Sequence, residues 1–222
     1  YSPSTSATKA ASTLTGAGEE LTAIVERRYD ELVAYQSTKY ADSWLSDVQR
    51  VHRGGYGDDF TSAVARNLYK LMAYKDEYEV ARLSDDAAFA AEISNTWGDD
   101  AKVSLRLHPP MLRELGMKKK LSLGQWASPA MTGLSKMKRL RGTKLDPFGH
   151  GEVRRTEREL IVEYRRAVDL VVAALGTYPA PERIAAATAI ADLPDMVRGY
   201  EGVKMGNVAR YRAEMARQLR AL

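Results

Sequence analysis

Charged side chains of both signs crowd the stretch between Ala65 and Leu83. Arg66, Lys70, Lys75, Asp76, Glu77, Glu79 and Arg82 share this stretch with apolar residues that recur at helical spacing. Charges of both signs three and four residues apart suit ion pairing along one helix. If such charges are buried, they suit a network that specifies geometry more than it stabilises, because desolvation offsets attraction. The second concentration has one sign. Between Ala101 and Leu145 there are 11 Lys or Arg residues and one acid, Glu114, a net of +10 against −6 for the rest of the 222 residues. Lys118, Lys119, Lys120, Lys136, Lys138, Arg139, Arg141 and Lys144 make this segment a candidate basic docking surface, suited to phosphates or to an acidic protein.

Other constellations carry less chemistry. Tyr35 and Lys39 stand four apart, a spacing at which an ammonium can lower a phenol pKa for hydride transfer. That chemistry needs a Gly-rich dinucleotide turn after a strand, which the chain lacks, so the pair is expected to be an i, i+4 contact within one helix. Gly54-Gly55-Tyr56-Gly57 has neither the preceding strand nor the following Lys of a phosphate loop, and reads as a break between helices. His52, His108 and His150 lack metal-ligand spacing. Asp58-Asp59 and Asp99-Asp100 read as solvated or capping pairs in turns. With no cysteine, the chain has no disulfide, no thiolate zinc site, no thiol nucleophile and no cysteine-held iron–sulfur cluster of its own. No apolar run approaches the ~18 residues of a membrane span. These features lead to the expectation of a cytoplasmic protein without membrane contact.

The elements that must position these residues are mostly helical. Residues 1–18 are rich in Ser, Thr, Ala and Gly and read as a flexible linker from an upstream domain. Residues 19–222 read as one helical domain. Leu21, Ile24, Val25, Tyr29, Leu32 and Val33 follow helical spacing, extending through Trp44, Leu45 and Val48. A second helix is expected over about 61–83, and a third over about 85–97. Lys102–His108 and Lys120–Trp126 alternate polar and apolar residues, which predicts a small β-hairpin near 102–126 with a basic tip. Helices resume over about 130–141, through Leu160–Leu175, from Pro181 to Leu193, and over the C-terminal stretch that carries Val208, Tyr211 and Met215. The fold class is mainly α, with about seven helices and one hairpin.

Three segments, in order, resemble one family. Ala65–Leu83 resembles a signature helix in the C-terminal region of fused indolepyruvate ferredoxin oxidoreductases, of the 2-oxoacid:ferredoxin oxidoreductase class. Leu140-Arg141-Gly142-Thr143-Lys144-Leu145-Asp146-Pro147-Phe148-Gly149 resembles a turn of that region. Leu193–Tyr200 with Val203-Lys204 resembles its penultimate motif. The resemblance implies a parent enzyme, homo-oligomeric, that oxidatively decarboxylates aryl or branched 2-oxoacids to acyl-CoA. That parent uses thiamine diphosphate, Mg2+ and iron–sulfur clusters and passes electrons to ferredoxin. This chain has neither the Gly-Asp-Gly and Asn-Asn diphosphate–metal motif nor cysteines. It is therefore expected to be a non-catalytic C-terminal domain, holding no cofactor, that docks on the catalytic domains through the Arg66–Arg82 charges. Ferredoxin and coenzyme A are the candidate partners of the basic surface. The rival expectation is a free-standing basic helical adaptor that binds nucleic acid or an acidic protein.

Overall fold

The computed structural model describes residues 1–84, 95–98, 105–107, 121–123 and 128–222. The chain is mainly helical and divides into two compact units, one of Tyr1–Tyr74 with Thr156–Leu222, the other of Lys75–Arg155.

The first unit opens with α1 (Thr5–Ser12), whose N-terminus is capped by the Ser4 hydroxyl accepting from the Ala7 N–H at 3.1 Å. Ala7, Ala10, Ala11 and Leu14 are buried, so residues 1–18 are not the expected linker. The buried face of α1 is built almost wholly of alanine, which permits close helix approach yet leaves a weak apolar signal in the sequence. Asp30 fastens the segment by accepting from the Tyr1 hydroxyl at 2.8 Å and from the Ser4 N–H at 2.8 Å. The long helix expected from Glu19 is two helices, α2 (Glu19–Tyr35) and α3 (Thr38–Arg53). Ser37 starts the second by accepting from the Tyr40 N–H.

Between α3 and α4 (Asp58–Met72), Gly57 takes φ +88°, a left-handed conformation that a residue with a Cβ rarely adopts. α4 is central. Thr61, Ser62, Ala63, Val64 and Ala65 are all buried, so this helix is covered on nearly every side. Trp44 of α3 is fully buried, and its indole N–H donates to the Ala65 carbonyl at 3.1 Å. The unit is completed by the Thr156–Leu175 portion of the helix Glu152–Leu175, by a helix Pro181–Asp192 and by a C-terminal helix Glu201–Ala221. The Tyr56 hydroxyl donates to the carbonyls of Val172 and Gly176, satisfying groups that a helix end leaves without partners. Tyr164 donates likewise to the Ala191 carbonyl at 2.8 Å.

The second unit contains α5 (Glu77–Ser84) and a short antiparallel ladder in which β1 (Leu105–Leu107) pairs with β2 (Leu121–Leu123), Arg106 opposite Ser122. It also contains α6 (Ser128–Lys136), continued by a 3-10 turn Met137–Leu140. The helices Glu152–Leu175, Pro181–Asp192 and Glu201–Ala221 are α7, α8 and α9. α5 packs on α6. Most of the expected 85–97 helix and most of the 102–126 hairpin, basic tip included, lie outside the described residues.

The single helix expected over 61–83 is broken between Met72 and Glu77. The Asp76 carboxylate accepts from the Glu79 N–H at 2.8 Å and so starts a new helix. An aspartate at this spacing before a Glu competes with helix continuation by capping a fresh N-terminus.

Candidate functional site

Asp76 is the centre of the site in the second unit. Its carboxylate caps α5 and also receives the Arg141 guanidinium through two bonds, Nε to Oδ2 and Nη2 to Oδ1, the latter at 2.8 Å. Each of the two side chains is only 3% exposed. A planar fork on a planar carboxylate gives this pair geometric specificity as well as charge compensation.

A second buried carboxylate sits beside the first. Asp146 Oδ1 accepts from the Tyr78 hydroxyl at 3.0 Å and from the Phe148 N–H at 3.1 Å, and Oδ2 accepts from the Gly142 N–H at 2.8 Å. The bond to the amide two residues on makes an Asx turn, which an Asp before Pro-Phe-Gly favours. The Tyr78 ring joins the two carboxylates. The Arg141 guanidinium carbon lies 5.6 Å from its centroid, and Phe148 meets its edge at 5.3 Å. Around this cluster Arg154 pairs with Glu77 at 3.2 Å and donates to the Lys75 carbonyl, and Arg82 takes both oxygens of Glu79.

The electrostatics follow from burial. Burial raises the Tyr78 phenol above its ordinary value, and the bond to Asp146 adds to the effect, so Tyr78 stays a proton donor rather than a base or nucleophile. Burial likewise pushes the Glu77 carboxyl up, against the opposing pull of Arg154. Lys138 is shifted down, by burial first and then by the like charges of Arg82 and Arg141. Asp76 and Asp146 spend their oxygens on fixed donors. The arrangement holds α5 to the 140–149 turn; it presents no activated nucleophile.

Gly149 shows how tightly this turn is closed. A Cβ there would stand 2.7 Å from Asp146 Oδ2 and 2.9 Å from its carboxyl carbon. Gly149→Ala is expected to destabilise the unit by about 1–3 kcal/mol, the usual cost of overpacking. Gly151→Ala meets nothing within 4 Å and should stay within about 0.5 kcal/mol of the parent. Amide hydrogen exchange over 141–149 in the two variants checks the contrast.

The seven residues expected to form one interdomain network are divided between the units. Arg66 pairs with Glu20 at 3.1 Å, and Lys70 with Asp195 at 3.0 Å and with the Pro194 carbonyl, all within the first unit. Asp76, Glu77, Glu79 and Arg82 belong to the second unit, where Lys75 is exposed. Their partners lie within the chain, because the break before Asp76 separates what a continuous helix would have aligned. Arg141 is likewise corrected, from a member of the basic surface to the buried partner of Asp76. Lys136, Arg139 and Lys144 are exposed and Lys138 is half-buried, while Lys118, Lys119 and Lys120 lie outside the described residues.

Tyr78 and Arg154 are not marked as site residues by the sequence, and Asp146 and Phe148 stand out there only as members of the Leu140–Gly149 motif. Two local signals marked the place: Asp76 three residues before Glu79, and Asp146 before Pro147-Phe148-Gly149. The Tyr35–Lys39 pairing is set aside on geometry. Tyr35 ends α2 and donates to the Tyr74 carbonyl at 2.9 Å, whereas Lys39 is exposed on α3.

Asp195, in the third motif segment, accepts from Lys70 and from Arg198, and these two bonds hold its carboxyl below its ordinary value. Lys204 pairs with the buried Glu157, joining α9 to α7. Among the described residues there is no group of three or more His, Asp or Glu side chains placed to hold a metal ion, and no helix long and apolar enough to cross a membrane.

No curated protein and no solved structure matches the chain. Residues 21–217 match DUF6537, a family of unknown function, and the chain belongs to that family.

Proposed function

We propose that this chain is the helical, non-catalytic part of an indolepyruvate ferredoxin oxidoreductase-like enzyme, contributing structure while the oxidative decarboxylation of aryl or branched 2-oxoacids takes place in other domains. One observation carries the reading. The segments that bear the resemblance pair with one another: Lys70 with Asp195, and Asp76 with Arg141. Residues that recur in a motif because they hold the fold together behave in this way. Residues retained for reaction would keep a reactive atom open.

The parent's cofactors do not fit this chain. Iron–sulfur clusters need thiolates, and the sequence has none. Thiamine diphosphate with Mg2+ needs the diphosphate–metal motif, which is absent here. No redox step is assigned to these residues. Docking on catalytic domains, in this reading, uses the shape of the folded units, since Asp76 and its neighbours are engaged internally. Ferredoxin and coenzyme A remain partners of the parent.

The test uses the complete reading frame that contains these residues, assayed for coenzyme A-dependent viologen reduction by indolepyruvate. Activity is expected, with Tyr78→Phe leaving turnover per folded enzyme within about twofold, since it removes one hydrogen bond and no reacting group. Absence of 2-oxoacid oxidation, or a Tyr78→Phe enzyme that folds but does not turn over, contradicts the proposal.

A further inference from the structure

The surface of residues 136–145 in the second unit combines two properties. Lys136, Arg139 and Lys144 are exposed, and among the described residues none of the three pairs with a carboxylate. Met137, at 41% exposure, and Leu145, at 77%, stand among them. The backbone here is a chain of tight turns. Arg141 N–H donates to the Lys138 carbonyl, Thr143 to Leu140, and Asp146 to Thr143. These turns keep the five side chains on one short, compact stretch, anchored from beneath by the buried Arg141–Asp76 pair and by Asp146.

We propose that residues 136–145 form a docking surface for an acidic polypeptide that carries apolar anchor side chains among its carboxylates. Charge complementarity selects the acidic partner: from Ser128 to Leu145 the sequence has five basic residues and no acid, and while Arg141 has its charge met by the buried Asp76, Lys136, Arg139 and Lys144 present theirs to solvent. Burial first, and then the like charges of Arg82 and Arg141, shift Lys138 down, in keeping with this crowding of positive charge. The apolar pair selects protein over nucleic acid. An exposed Leu and Met gain by leaving water against another apolar side chain, whereas a phosphate backbone offers them nothing. Nor does the 128–145 stretch contain an aromatic ring on which a base would stack.

The test measures fluorescence anisotropy of three labelled probes against the full chain: a short amphipathic helical peptide with a Glu face and a Leu face, polyglutamate of equal charge, and a single-stranded oligonucleotide of equal charge. The amphipathic peptide is expected to bind at least about tenfold tighter than polyglutamate, weakening as salt rises. Joint Lys136→Glu, Arg139→Glu and Lys144→Glu should abolish binding, and Met137→Ser with Leu145→Ser should remove the preference over polyglutamate. All five positions are solvent-facing, and unchanged amide exchange over 141–149 verifies that each variant is folded. Binding that follows charge alone, equal for oligonucleotide and peptide and indifferent to Leu145→Ser, overturns the assignment in favour of a polyanion surface. No binding at low salt overturns it outright. The readout is binding of these probes alone, so the outcome is separate from whether the complete protein oxidises 2-oxoacids.

Discussion

Asp76→Ala is expected to cost about 3–5 kcal/mol in the second unit, the range for removing one partner of a buried ion pair. The Arg141 guanidinium would be left 3% exposed with its carboxylate gone. The same substitution removes the cap of α5, where the Asp76 carboxylate accepts from the Glu79 N–H, a further loss of about 1 kcal/mol. Since native domains are stable by only about 5–15 kcal/mol in total, this is a large share of the unit's stability. Because the chain comprises two compact units, a single unfolding free energy is the wrong readout. Amide hydrogen exchange over 77–84 and 141–149 reads the effect locally, and protection there should collapse. Asp76→Asn should be milder, since it keeps one acceptor for the cap while losing the charge.

Trp44→Ala is expected to destabilise the first unit by about 3–5 kcal/mol, the range for removing a large aromatic from a packed core. Trp44 is fully buried, and its indole N–H is committed to the Ala65 carbonyl. α4, which supplies that carbonyl, is buried at Ala63, Val64 and Ala65, small side chains on a helix already covered on most sides, so a void at Trp44 is not readily filled by local collapse. The measurement is amide hydrogen exchange over α3 and α4, which reads the first unit by itself. Lowered protection is expected there, and Trp44→Phe should lose less because most of the apolar volume survives.

The sequence carried the helical class clearly. The apolar stripe Leu160, Ile161, Tyr164, Val168 and Val171 is the buried face of α7, Pro181 begins α8, and the Gly54–Gly57 cluster separates α3 from α4. Three features were not legible in it. α1 buries alanines, which add little to an apolar period. The break before Asp76 falls inside a run whose charges satisfy helical spacing on either side of it, so periodicity carries no mark of the interruption. The Asp76–Arg141 and Tyr78–Asp146 contacts join residues 65 and 68 positions apart. Local pattern showed that these charges needed partners; only the folded chain identifies them. The same limit explains why Arg141, one cation among several in a basic segment, read as surface when it is core.

The central claim is that Asp76 and Arg141 act as one structural unit rather than as separate functional groups. A double-mutant cycle with Asp76→Ala, Arg141→Met and the combined variant, read by hydrogen exchange over 141–149, tests it most directly. The coupling should be about 2–3 kcal/mol, with the double variant more stable than Asp76→Ala because no buried charge is left uncompensated. Additive losses within about 0.5 kcal/mol would contradict it, since that is the behaviour of residues that do not share a partner.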